Sequence, residues 1–187
     1  MAERPACPGL ERVHRATNLA ELLLDAPPAW RERPMLRRRL PDGSWARSTR
    51  GQVQQAVRRV SAWLQAQGIR PSDRVGILSH NKPEWLIADF AILAIGAVTV
   101  PAYFTDPEEA VAHVFMDAGV SLILVEPGEQ RQKLAGLDGV PIQPLIGEGE
   151  TLAAVAADAA WDGRFKPAMP DRDDMATLMP QSPLKAT

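Results

Sequence analysis

The sequence predicts an α/β domain, a mostly parallel sheet with flanking helices, preceded by a short helix and a β-hairpin. Two observations carry this. Between residues 49 and 125 a helix-period stripe alternates three times with a short apolar run of strand character. Glycines also stand where those helices should close, at Gly68, Gly96 and Gly119. A chain of 187 residues, 45% hydrophobic and 24% charged, is long enough to bury the core such a fold needs.

Leu19, Leu22 and Leu23 recur at helical spacing within residues 17–26, and Pro27-Pro28 end that helix. Met35–Leu40 and Trp45–Ser48 read as two strands around a Pro41-Asp42-Gly43 turn. Alternation sends Arg37 and Arg39 to one face and Arg38 to the other, so the arginine run does not read as one patch. Protection of an edge strand against aggregation is favoured over phosphate binding as its role. Thr49 and Gln52 have capping-box spacing, Val53, Ala56, Val57, Val60 and Leu64 form one apolar stripe, and a strand follows from about Arg74 to Leu78. Asn81 and Glu84 then bracket a helix start with Pro83 in the first turn. That helix, Glu84–Ile95, is apolar nearly all round and should be covered on most sides; Ala97–Val100 is the next strand. Thr105 and Glu108 repeat the capping spacing with Pro107 in the first turn, Ala110, Val111, Val114 and Phe115 give the apolar face, and Ser121–Val125 is a strand. Beyond Glu126 the pattern predicts a short helix at Glu129–Leu134, a proline-broken strand at Ile142–Ile146 and an alanine-rich helix at Thr151–Trp161. A loop at Gly163–Asp174 and a further strand at Met175–Met179 complete it.

Several chemistries are excluded or disfavoured. A single cysteine, Cys7, leaves no disulfide, zinc cluster or iron–sulfur site to be built from cysteine and points to a reducing compartment. The first fifteen residues hold no apolar run, so no secretory signal is expected. Trp85–Phe104 has the length of a membrane span with one charge, Asp89, but Gly96, the β-branched Val98-Thr99-Val100 and Pro101 read instead as a buried helix handing over to a buried strand. Residues 1–80 carry fourteen Lys/Arg against seven Asp/Glu, yet these cations are spread over several elements, which favours a solvated surface over a nucleic-acid arm. No G-x-G-x-x-G, G-x-x-x-x-G-K-[ST], G-x-S-x-G or H-E-x-x-H occurs. His14, His80 and His113 are far apart, and Glu108-Glu109 are explained by their place in a helix's first turn. The residues alone therefore nominate no catalytic, cofactor-binding or metal-binding side chain.

Resemblance adds more. Gly68-Ile69 with Asp73-Arg74-Val75, then Asn81-Lys82-Pro83-Glu84-Trp85, then Ala94-Ile95-Gly96-Ala97 leading to Val100-Pro101, together resemble the N-terminal region of the AMP-forming acyl-CoA synthetases, members of the adenylate-forming ligases. Tyr103 and Thr105 resemble the long-chain fatty acid–CoA ligase branch, and a looser likeness runs from about Leu19 to Asp174. The resemblance implies a fatty acid substrate, ATP, Mg2+ and coenzyme A, with an acyl-adenylate attacked by the coenzyme A thiol. It implies a cytoplasmic enzyme with peripheral membrane contact, and no nucleic-acid partner. The family cradles phosphates with a loop T-S-G-T-T-G-x-P-K-G, and a C-terminal domain supplies a catalytic lysine. Here Asp173–Met179 is similar to the lead-in to that loop, but Pro180–Thr187 lacks its glycines, and Ser182 and Lys185 read as unrelated residues. Residues 1–187 are thus expected to form an incomplete N-terminal AMP-binding (adenylation) domain that stops at the phosphate loop, from an interrupted frame or a truncated gene. Such a chain should not bind ATP, Mg2+ or coenzyme A tightly and should expose apolar faces. Two functional readings stand: the N-terminal part of a long-chain fatty acid–CoA ligase whose activity belongs to the intact protein, with the remainder of the ligase as its partner if that is encoded separately, or a catalytically silent fragment or interaction module. A third, an unrelated α/β nucleotide-binding or regulatory module, would need a strand-end acidic cluster or glycine loop that is not visible.

Overall fold

Asn18 accepts the Glu21 amide proton at 2.9 Å, which starts α1 (Leu19–Leu24). The helix is shorter than its leucine pattern suggests because Asp25 already leaves helical geometry ahead of the two prolines. The structure is a computed structural model that describes residues 18–146, 151–168, 170 and 173–179. A 3-10 turn at Pro28–Trp30 leads into the antiparallel hairpin β1 (Pro34–Arg39) and β2 (Trp45–Thr49). At its tip Asp42 accepts both the Ser44 amide at 2.9 Å and the Ser44 hydroxyl at 2.6 Å, so the turn is held by its own side chains.

The capping box is present: Thr49 Oγ1 accepts the Gln52 amide, and Gln52 Oε1 accepts the Thr49 amide at 2.8 Å. It starts α2 (Arg50–Ala66), whose Val53, Val57, Val60, Trp63 and Leu64 are buried. The buried Gln54 donates to the Leu23 carbonyl at 2.7 Å and so fastens α1 to α2. Four parallel strands follow: β3 (Arg74–Leu78), β4 (Val98–Ala102), β5 (Leu122–Val125) and β6 (Ile142–Pro144), in the order β4-β3-β5-β6. They are linked through α3 (Pro83–Ala94), α4 (Glu108–Ala118) and the single turn α5 (Glu129–Gln132). After β6 the alanine-rich segment forms α6 (Leu152–Ala157) and a 3-10 turn at Ala159–Trp161, two pieces rather than one helix. Asp158 makes the break: its backbone is extended and its carboxylate caps the Ala160 amide at 2.8 Å.

Two predicted caps do not form. The N-caps are Lys82 and Pro107, neither with a side-chain cap bond, instead of Asn81 and Thr105. In both motifs a proline stands two residues past the expected cap. The residue before proline is pushed to extended backbone, so α3 begins only at Pro83 and α4 only after Pro107. Likewise Met175–Met179 is not a full strand. It meets β4 in one parallel bridge, Thr177 to Thr99, with Thr99 N–H donating to the Ala176 carbonyl at 3.0 Å and Leu178 N–H to the Thr99 carbonyl at 2.9 Å. Its Met175 and Met179 are exposed, so little burial supports a longer pairing.

The sheet is covered on both faces. Val75, Ile77, Leu122 and Leu124 pack with α2 and α3, whereas Leu78, Val100, Ile123 and Val125 pack with Val111, Val114 and Phe115 of α4. Gly76 lies under the Phe115 ring, where a Cβ would come within 2.9 Å of it. Trp85–Phe104 is the α3–β4 unit, with Ile92, Ile95, Val98 and Val100 buried in the domain, and no described helix is long and apolar enough to cross a membrane.

Candidate functional site

From β3 the chain moves to β4 through α3 on one face; from β4 it returns across β3 to β5 through α4 on the other. Adjacent β3 and β5 therefore send their following segments to opposite sides, and their carboxyl ends form a topological switch point, the position where doubly wound sheets bind ligands. Ser79, His80, Asn81 and Lys82 follow β3, and Glu126 follows β5.

Glu126 organises the side chains at this switch point. Its Oε2 accepts the His80 amide at 3.0 Å, contacts His80 Nδ1 at 2.9 Å and accepts the Ser79 hydroxyl at 3.2 Å, while Oε1 pairs with the Lys82 ammonium. The carboxylate side chain is 14% exposed, against 48% for His80 and 32% for Lys82. Burial pushes its pKa up, but the Lys82 ammonium and the two His80 donors outweigh that and bring it down to about 2. Glu126 is thus a committed anion and a poor proton acceptor. The His80 ring in turn lies 4.0 Å from the Phe104 ring, centroid to centroid, and Lys133 donates to the Phe104 and Asp106 carbonyls at 2.6 and 2.9 Å. The segments after β3, β4 and β5 are tied to one another.

Chemically this arrangement holds a shape. Its carboxylate–imidazole pair resembles half of a nucleophile-activating relay, but the nearby Ser79 hydroxyl donates to the His80 carbonyl and to Glu126, so it is held by both and not by the ring. Among the described residues no group of three or more His, Cys, Asp or Glu side chains could hold a metal ion. Nor do the described loops at this end of the sheet fit a triphosphate: they offer no run of glycine and hydroxyl residues, and Lys82 is engaged by Glu126. Beside this cluster, the edge of β1 at Arg37–Arg39 lines, with Asn81, Lys82 and Glu84, a cleft of about 370 Å³ between the hairpin and the segment after β3, into which the Arg38 side chain reaches Glu84 at 3.4 Å. On the α3 face, Asp89 is partly buried and accepts the Thr99 hydroxyl at 2.7 Å; burial raises its pKa, the hydroxyl offsetting part of the shift.

His113 is exposed on α4, and Glu108-Glu109 sit in the first turn of that helix. Ser182 and Lys185, with Cys7 and His14, lie outside the described residues. The described residues before them, Asp173–Met179, meet β4 in one parallel bridge, Thr177 to Thr99. Reading the residues alone missed Glu126 and Lys82, although a partial signal was present: Glu126 directly follows the buried run Leu122–Val125, while Lys82 comes four residues after Leu78 and carries no such mark.

The family model for AMP-binding enzymes matches residues 26–182. The chain is 39% identical over 101 residues to the long-chain-fatty-acid–CoA ligase FadD15 of Mycobacterium tuberculosis, covering 54% of this chain and 17% of that protein. It is 32% identical over 108 residues to the uncharacterised protein Rv1549 of the same organism, 58% of this chain and 60% of that one. Among solved structures, an acyl-CoA synthetase from Brucella canis superposes with a TM-score of 0.69 at 24% identity, over 79% of this chain and 28% of that chain. That likeness is one of fold.

Proposed function

Because the chain belongs to the AMP-binding enzyme family, we propose that it is the N-terminal segment of an ATP-dependent, AMP-forming ligase. In this reading the whole enzyme activates a long-chain fatty acid to an acyl-adenylate and then to acyl-CoA. The observation that carries the proposal is the family match over residues 26–182, which spans the hairpin, the whole parallel sheet and the segment beside β4. FadD15, of which the chain spans 17%, supports the long-chain substrate. ATP, Mg2+ and coenzyme A belong to the whole enzyme; this segment alone is not expected to hold them tightly. The lone cysteine supports a cytoplasmic setting.

A chimera tests the reading: residues 26–179 replace the matching segment of FadD15, and palmitate-dependent ATP–pyrophosphate exchange is measured. Exchange above a buffer blank is expected. A soluble chimera with a native-like circular dichroism spectrum and no exchange would count against it.

A second reading has its own support in Rv1549, of which the aligned 108 residues make up 60%. In this reading the chain turns nothing over unaided. The purified 187-residue chain should give no exchange with palmitate; turnover would sink that reading.

A further inference from the structure

The pairing register of the hairpin assembles a surface that alternation along one strand does not reveal. Arg37 faces Arg47 and Arg39 faces Trp45 across the β1–β2 ladder. Directly opposed residues of an antiparallel pair share a face, and so do residues two apart on one strand. Arg37, Arg39, Arg47 and Trp45 therefore stand together on one side. The other side carries Leu36, which packs on the core, and Arg38, which pairs with Glu84, so the four-residue face is the outer one. All four are exposed, Trp45 at 53%. The Arg37 guanidinium lies 5.1 Å from the Trp45 ring, and Arg39 and Arg47 have no ion-pair partner among the described residues. Neither strand contains an acidic residue.

We propose that this face docks the protein on an anionic phospholipid surface. The chemistry is complementary. Guanidinium groups pair with lipid phosphates, and an exposed indole is stable at the headgroup level, with its ring among acyl carbons and its N–H toward water. Each arginine near a negatively charged leaflet raises partitioning roughly fivefold, so three raise it roughly a hundredfold, enough for reversible and salt-sensitive attachment. Nucleic acid is the weaker match, since duplex binding of useful strength neutralises on the order of six to ten phosphates. Docking requires no acyl transfer and so stands or falls separately from the ligase reading.

The test is flotation of the full chain with phosphatidylcholine vesicles, with and without about a third phosphatidylglycerol, across a salt series. Binding should require the anionic lipid and fade with salt. R37Q/R39Q/R47Q should lower partitioning roughly a hundredfold and each single change roughly fivefold. W45F should remove most of the blue shift in tryptophan emission that vesicles induce. Circular dichroism spectra matching the parent establish that these exposed substitutions leave the fold intact. Equal binding to neutral vesicles, binding unchanged in the triple variant, or tighter binding to a DNA duplex than to vesicles would each overturn the assignment.

Discussion

Replacing Glu126 by glutamine should cost stability in a way that depends on pH. The folded carboxylate sits at about 2 against an ordinary 4.5. At 1.36 kcal/mol per unit the difference corresponds to at most ~3.4 kcal/mol of preference for the folded state. Solvent screens much of this, because His80 and Lys82 are 48% and 32% exposed, so about 1.5 kcal/mol is the working figure. The sign follows from the depressed pKa. The stabilisation is complete above 4.5 and is lost as pH falls toward 2, with under half of it left at about pH 3. Glutamine keeps an oxygen for the His80 amide but carries no charge. Urea unfolding followed by circular dichroism should thus show E126Q less stable than the parent by about 1.5 kcal/mol at neutral pH, with the gap more than halved at about pH 3. A cycle with K82M should return a coupling of about 1 kcal/mol. A gap of equal size at both pH values, or none at neutral pH, would refute the claim that the Glu126 charge holds the segments after β3 and β5 together.

Two further substitutions probe the packing on the two faces of the sheet. G76A places a methyl 2.9 Å from the buried Phe115 ring and should cost about 1–3 kcal/mol in urea unfolding, with F115L restoring part of the loss; an unchanged midpoint would show that the ring can move aside. Asp89 titrates the opposite way from Glu126, since burial raises its pKa: stability is greatest below the unfolded value of 3.8 and declines as pH rises through the folded one. D89N, which keeps an acceptor for the Thr99 hydroxyl, should therefore be the more stable protein at pH 7 and equal to the parent in acid; lower stability at pH 7 would sink this account.

Local rules made most of the fold legible. The Thr49–Gln52 box, the stripe from Val53 to Leu64 and the runs Arg74–Leu78 and Leu122–Val125 depend on neighbours within a turn or two, and the structure matches them closely. Where two local rules competed, the steric one won. The prolines at 83 and 107 moved both caps, because a side-chain hydrogen bond is worth less than avoiding the clash that forces the preceding residue to be extended. What stayed hidden is long-range by nature. Glu126 meets Lys82 across 44 residues, Asp89 meets Thr99 across a helix–strand packing, and Arg47 joins Arg37 only through strand register. None of these has a period.

The same distinction explains why a dense family likeness came without a catalytic residue. Many of its motif positions between residues 68 and 105 solve folding problems. Asp73 accepts the Arg70 amide at 2.8 Å and shapes the entry to β3. Arg74 donates to the carbonyls of Ala118 and Gly119 at 3.0 and 2.8 Å, so its guanidinium caps the end of α4. Pro83 begins α3, Lys82 neutralises Glu126, and Glu84 receives Arg38 from the hairpin. Gly96 turns the chain at positive φ against Pro71, where a side chain would be both strained and crowded. Every charged group among these motif positions is spent on the fold, and none is left pointing at a substrate. Sequence likeness in this stretch is therefore evidence about how the sheet is built, and activity has to be read from exchange assays on the chimera and on the chain alone.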